Sequence, residues 1–131
     1  MKRTSVNPWS WSLQYGFSQG EVIEGQQRIL FCAGQASMSE AGMFQHVGDM
    51  RSQFKLSLDN LESVLKKADM SFANIVRLTI YTVDVDALMQ NMDLLGERFA
   101  AAGVMPAQTL LGINRLALPD LLVEVEATAV D

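Results

Sequence analysis

Apolar and polar positions follow two different rhythms along this chain. Between residues 49 and 69, Met50, Phe54, Leu58, Leu61, Leu65 and Ala68 step by three or four, which gathers them on one stripe of a helix. Asp49 precedes that stripe, where a carboxylate can accept from the first free backbone N–H groups. The same stepping predicts a second helix over 85–102, through Val85, Leu88, Met92, Leu95, Phe99 and Ala102. Asp84 caps it, and Gly103 and Pro106 end it. The second rhythm has the two-residue period of a strand. Over 74–83, Val76, Leu78 and Ile80 alternate with Arg77, Thr79 and Tyr81. Over 121–130, Leu121, Val123, Val125, Ala127 and Ala129 alternate with Glu124, Glu126 and Thr128. Residues 107–113 read as another strand, and 16–24 with 28–33 as a β-hairpin turning at Gly25-Gln26-Gln27. Residues 1–15 read as an irregular surface arm, and 34–49 as a long loop of the kind that is often functional.

The resulting order is β-β-α-β-α-β-β. Two helices with one apolar stripe each cover one face of a mixed sheet, so the expected fold is two-layer α+β. The 131 residues suit a single domain, 1–131, with 1–15 as its N-terminal arm. The other face of the sheet carries Thr79, Tyr81, Thr109, Glu124 and Glu126. It is too polar for a monomer's core, yet apolar enough for another subunit to cover.

Charge and composition narrow the function. The net charge is −5, and the densest basic run is Lys66-Lys67. Such a chain repels phosphate backbones, so nucleic acid is not the expected partner. Cys32 is the one cysteine, so no intrachain disulfide forms and no oxidising compartment is required. No apolar run has the length of a membrane span, and no signal-peptide core follows Lys2-Arg3. The expected address is the cytoplasm, with no membrane partner. Single residues invite chemistry but have plainer readings. Cys32 in a strand reads as a small buried hydrophobe. His46 is the only histidine and cannot build a zinc site alone. Ser37 and Ser39 have no histidine at triad-like positions. Trp9 and Trp11 read as packing surface or as a cover for a cleft. No cofactor or metal is expected.

Several strings, in order, carry a resemblance: FSQG at 17–20, AGQ at 33–35, LDNLESVLKKADM at 58–70, VRLTIYTVDVD at 76–86, PAQ at 106–108 and LPDLLVEVEATAV at 118–130. Over about residues 17–130 the chain resembles the Rid (YjgF/RidA) family, also named L-PSP endoribonuclease. The resemblance implies a chorismate-mutase-like fold, a homotrimer, and small-metabolite sites in clefts between subunits. It also implies hydrolysis of an imine or enamine to a carbonyl compound and ammonia. The family arginine that grips a substrate carboxylate follows Pro-Ala, and here that position is Gln108. The water-positioning glutamate matches Glu124, and the helix asparagine matches Asn91. The family tyrosine falls at Phe17 and the family serine at Ala33. A hydrogen bond to a charged group contributes about 1.5–3 kcal/mol and a neutral one about 0.5–1.5, so Gln108 weakens carboxylate binding by roughly one to two orders of magnitude. A simple 2-imino acid is therefore not the expected substrate, and an uncharged amide, imine or enamine, or a cation, fits better. Arg115 and Arg77 are candidate substitutes for the missing arginine, against plainer readings as surface or subunit-contact residues. The competing functions are catalysis by Glu124 with Gln108 and Asn91 orienting the substrate, a non-catalytic metabolite-binding trimer, and, least supported by the acidic charge, ribonuclease activity.

Overall fold

A computed structural model describes residues 1–131. Nine regular elements follow in chain order: β1 (Lys2–Val6), β2 (Gly20–Glu24), β3 (Ile29–Gln35), α1 (Met50–Lys67), β4 (Ile75–Thr82), α2 (Val85–Met89), α3 (Asp93–Ala102), β5 (Ala107–Gly112) and β6 (Val123–Val130). Short 3-10 turns lie at Trp11–Tyr15 and Phe72–Asn74. The main sheet has the order β3-β6-β4-β5, and β1 pairs with β2 in a separate ribbon. Only β4 and β5 run parallel; β3–β6 and β4–β6 are antiparallel. The fold is thus the expected α+β arrangement with a mixed sheet.

The local signals are realised closely. Asp49 accepts from Ser52 N–H at 3.0 Å and starts α1. Phe54, Leu58, Leu61 and Leu65 are fully buried against the sheet. Val123, Val125, Ala127 and Ala129 of β6 meet them with side chains from the same face. Asp84 accepts from Ala87 N–H at 3.0 Å, and Gly103, at φ 70°, closes α3 in the left-handed conformation.

Four expectations are corrected. Residues 1–15 are not an irregular arm: Lys2–Val6 is a strand and Trp11–Tyr15 a 3-10 turn. Residues 16–24 and 28–33 form no hairpin, because β2 pairs with β1 in register from Lys2↔Glu24 to Val6↔Gly20 and β3 pairs with β6. Arg3 fixes the ribbon by donating to the almost fully buried Glu21 carboxylate at 2.7 Å. The predicted helix 85–102 breaks at residues 90–92. Asn91 Nδ2 takes the Ala87 carbonyl at 2.8 Å, the acceptor that a continuing helix would offer to a backbone N–H. Finally, the register of β4 against β6 shifts between Ile75 and Arg77. That bulge gives the core position to Ile75, which is fully buried, rather than to Val76.

The long loop is held by two polar residues of α1. Gln53, fully buried, donates to the carbonyls of His46 and Asp120, both at 3.0 Å. Its Oε1 accepts from Leu122 N–H at 2.8 Å. Asn60 donates to Ala36 O and Met38 O, each at 2.9 Å. Gln53→Leu keeps the apolar volume but strands three backbone groups, which costs roughly 2–4 kcal/mol. Urea unfolding monitored by circular dichroism should show the midpoint falling accordingly.

Candidate functional site

The register of the sheet decides which side chains share a face. Leu78 and Ile80 of β4 point to the helices and are buried. Their β5 partners are Gln108 and Leu110, so Gln108 also lies on the helix side. Tyr81 and Thr79 point the other way, with Glu124 and Glu126 as their β6 partners. Gln108 and Glu124, expected to act together, therefore stand on opposite faces of the sheet within one chain.

On the helix side, Gln108 is half-buried in a cleft of about 580 Å³. β5 is an edge strand, and its open edge is covered by the segment after the first 3-10 turn. Ser18 N–H donates to the carbonyls of Met105 and Pro106, both at 3.2 Å. Gly16, at φ 78°, ends the turn in the left-handed region open to glycine. Its carbonyl accepts from Gln108 Nε2 at 3.2 Å. The rest of the wall is mostly apolar, with Phe17, Ile80, Met89, Met92 and Leu110. Trp11 packs edge-on against Phe17 with ring centroids 6.0 Å apart, so Trp11 supports the cleft from behind. Trp9 is exposed.

On the free face, the Glu124 carboxylate lies over Gly34, where any added Cβ would overlap it. Ala33 is exposed beside that glycine, at the register shift of β3. Tyr81 Oη donates to Glu126 Oε1 at 2.5 Å. That bond, aided by desolvation and the charge of both glutamates, raises the Tyr81 phenol above its ordinary value. Arg77 reaches Thr109 Oγ1 at 3.5 Å on this same face. Phe31 is 76% exposed and Leu111 43%. Both lie on this face, Phe31 through its partner Thr128 and Leu111 through its partner Tyr81.

The remaining candidates are placed elsewhere. Asn91 is in the turn between α2 and α3, where its Oδ1 accepts from Arg51 at 3.2 Å. Arg51 also grips Asp93 with two bonds of 3.0 and 2.8 Å. Asn91 thus serves the helix break and does not line the cleft. Arg115 donates to its own neighbours, Leu116 O at 3.2 Å and Ala117 O at 3.4 Å, and Arg77 is across the sheet, so neither replaces the cation within this cleft. Cys32 is buried, and desolvation pushes its thiol up, away from a reactive thiolate. Ser37 Oγ donates to Gln45 O at 2.7 Å. No group of three or more metal-ligating side chains occurs, and no helix is long and apolar enough to cross a membrane. The residues that sequence reasoning missed are Gly16, Met89 and Met92. Their signal was the glycine that follows the aromatic residues of the N-terminal arm and the eight methionines of the chain, of which Met89 is exposed rather than used in the core.

Comparisons with known proteins fall on this framework. The family described as Endoribonuclease L-PSP matches residues 13–131. The crystal structure of YyfB from Yersinia pestis, a protein of unknown function of the conserved Rid family, is 33% identical with a TM-score of 0.88, over all of both chains. Escherichia coli TdcF, solved with bound serine, is 25% identical with a TM-score of 0.71, covering 88% of this chain and 87% of that one. The mitochondrial protein mmf2 of Schizosaccharomyces pombe is 26% identical over the full length of both chains.

The Tyr81–Glu126 bond predicts a pH dependence. A phenol raised by folding stabilises the protein fully below its unfolded value near 10.0, and that contribution is lost as pH rises through the folded value. In Glu126→Gln the phenolate absorbance of Tyr81 should appear at lower pH than in wild type, and the alkaline loss of stability should flatten. An unchanged titration would contradict the bond.

Proposed function

The chain belongs to the Rid (L-PSP endoribonuclease) family, and from that premise we propose that it acts as a homotrimer with small-metabolite sites between its protomers. Each site joins the Gln108 cleft of one copy to the Glu124 face of the next. The observation that carries this reading is the opposition of Gln108 and Glu124 across the sheet. One chain cannot bring both to a ligand, whereas a heterologous contact repeated around a threefold axis can. The exposed Phe31 and Leu111 beside Glu124 and Glu126 support covering of that face by another copy. A metabolite ligand is supported by the serine bound to TdcF.

The proposed reaction is hydrolysis of a C=N bond, on a substrate other than a simple 2-imino acid. Glu124 accepts a proton from water as the water oxygen attacks the imine carbon. Glu124 returns that proton to the nitrogen to give the carbinolamine, whose hydroxyl proton passes to nitrogen as the C–N bond breaks, so that ammonia leaves and a carbonyl compound remains. Gly34 gives the carboxylate room to sit over β3. A non-catalytic binding trimer is the second reading, favoured by the fact that the Gln108 donor is already engaged by Gly16. Ribonuclease activity has little support, because the cleft is lined by no histidine or cation and the net charge is −5. The cytoplasm is the proposed compartment, in keeping with a lone buried Cys32.

Light scattering should give three times the 14.5 kDa chain mass, and Phe31→Asp should shift it to smaller species. A wild-type monomer would refute the assembly. With imines generated in situ by an amine or amino-acid oxidase, Glu124→Ala should lower ammonia release by about 100-fold or more. Gly34→Ala, which displaces the same carboxylate, should behave alike while folding normally. Turnover gained only in Gln108→Arg would favour the binding reading.

A further inference from the structure

We propose that the Gln108 cleft selects carboxylate-free ligands that present a planar N–H donor group, such as an amide, imine or amidine, on an aromatic or other apolar body. This rests on the reading of the cleft as the ligand site and names what it takes. The amide orientation of Gln108 is fixed by chemistry. A carbonyl only accepts, so the bond to Gly16 O at 3.2 Å commits Nε2. Oε1 is then left as an unpaired acceptor that cannot donate, beside the one N–H of Nε2 that Gly16 does not take. A ligand N–H satisfies it. A carboxylate can take only the single remaining neutral N–H and meets Oε1 lone pair to lone pair.

The surroundings point the same way. None of the eleven lining residues carries a charge. Arg77 is on the opposite face of the sheet, and Arg115 is engaged by Leu116 O and Ala117 O. A carboxylate entering the cleft would lose water and gain no cation from its own chain. In the assembled site the joining face brings Glu124 and Glu126 against one cation, Arg77, and this net negative charge disfavours anions and attracts a protonated nitrogen. Phe17, stiffened by Trp11, offers a flat apolar wall, and the flexible thioethers of Met89 and Met92 adapt to the shape laid against it. The volume of about 580 Å³ holds a one-ring ligand with room to spare.

Three probes of equal shape test this: benzamidine, benzamide and benzoate, titrated into the full-length protein with isotope-labelled methionine methyls. The expected result is movement of the Met89 and Met92 methyl signals, with benzoate at least tenfold weaker than both nitrogen ligands. Benzamidine above benzamide would show that charge adds to donation, and equal affinities that donation alone suffices. Gln108→Arg should reverse the order in favour of benzoate. The wild-type ranking stands by itself should that variant fold poorly. Benzoate binding as tightly as benzamide overturns the ligand class but leaves the cleft as the site. If no probe moves those methyls while the trimer persists, the site assignment falls with it.

Discussion

The two-residue alternation of three adjacent strands governs what this protein can do. Ile80, Val125 and Leu110 are paired side by side across β4, β6 and β5 and face the helices. That choice is enforced by burial: a one-residue shift of β4 would carry Leu78 to the free face, and one of β6 would carry Val123 and Ala127 there and bring Glu124 and Glu126 into the apolar layer. Once the register is fixed, Gln108 must lie on the helix side and Glu124 on the other. The division of the candidate site between two surfaces is therefore a consequence of core packing. In the proposed assembly, it is the contact between copies of the chain that reunites the two.

On the helix side, the chain uses Gln108 to hold its own backbone. The bond to Gly16 anchors the end of the turn Trp11–Tyr15 beside β5, and Ser18, just after it, covers the start of that strand by bonding Met105 and Pro106. The same contact shields an edge strand and sets the polarity of the cleft. A longer cation at this position would lose the close fit to Gly16 and would change what the cleft attracts. One amide thus links the fold to the proposed ligand preference.

Local signals made much of the fold legible. The stripe of α1, its Asp49 cap and the alternation of β6 need only neighbouring residues; they stand as read except that β6 begins at Val123, and Leu121 packs apart with Ala36 and Leu116. The misreadings involve distant partners. The hairpin failed because β1 competes for β2, helped by the Arg3–Glu21 pair. The second helix broke because Asn91 bonds back to Ala87 and is clamped by Arg51, forty residues away in sequence. The buried Gln53 looked like an ordinary polar neighbour of Phe54, since its three bonds reach two loops whose courses no local pattern predicts. The strings around 108 and 124 picked out both candidates, and strand parity already implied that they lie on opposite faces. The turning of Asn91 away from the cleft could not be read from its place in a helical stepping pattern.

Mixing two defective variants tests the shared site most directly. Gln108→Trp fills the cleft and Glu124→Ala removes the base, so each alone should be unable to hydrolyse an imine. When equal amounts are unfolded and reassembled together, random hybrids place an intact cleft against an intact glutamate in about a quarter of the interfaces. Activity near that fraction of wild type is the predicted result. Hybrid assemblies that form and stay as inactive as their parents would contradict the account.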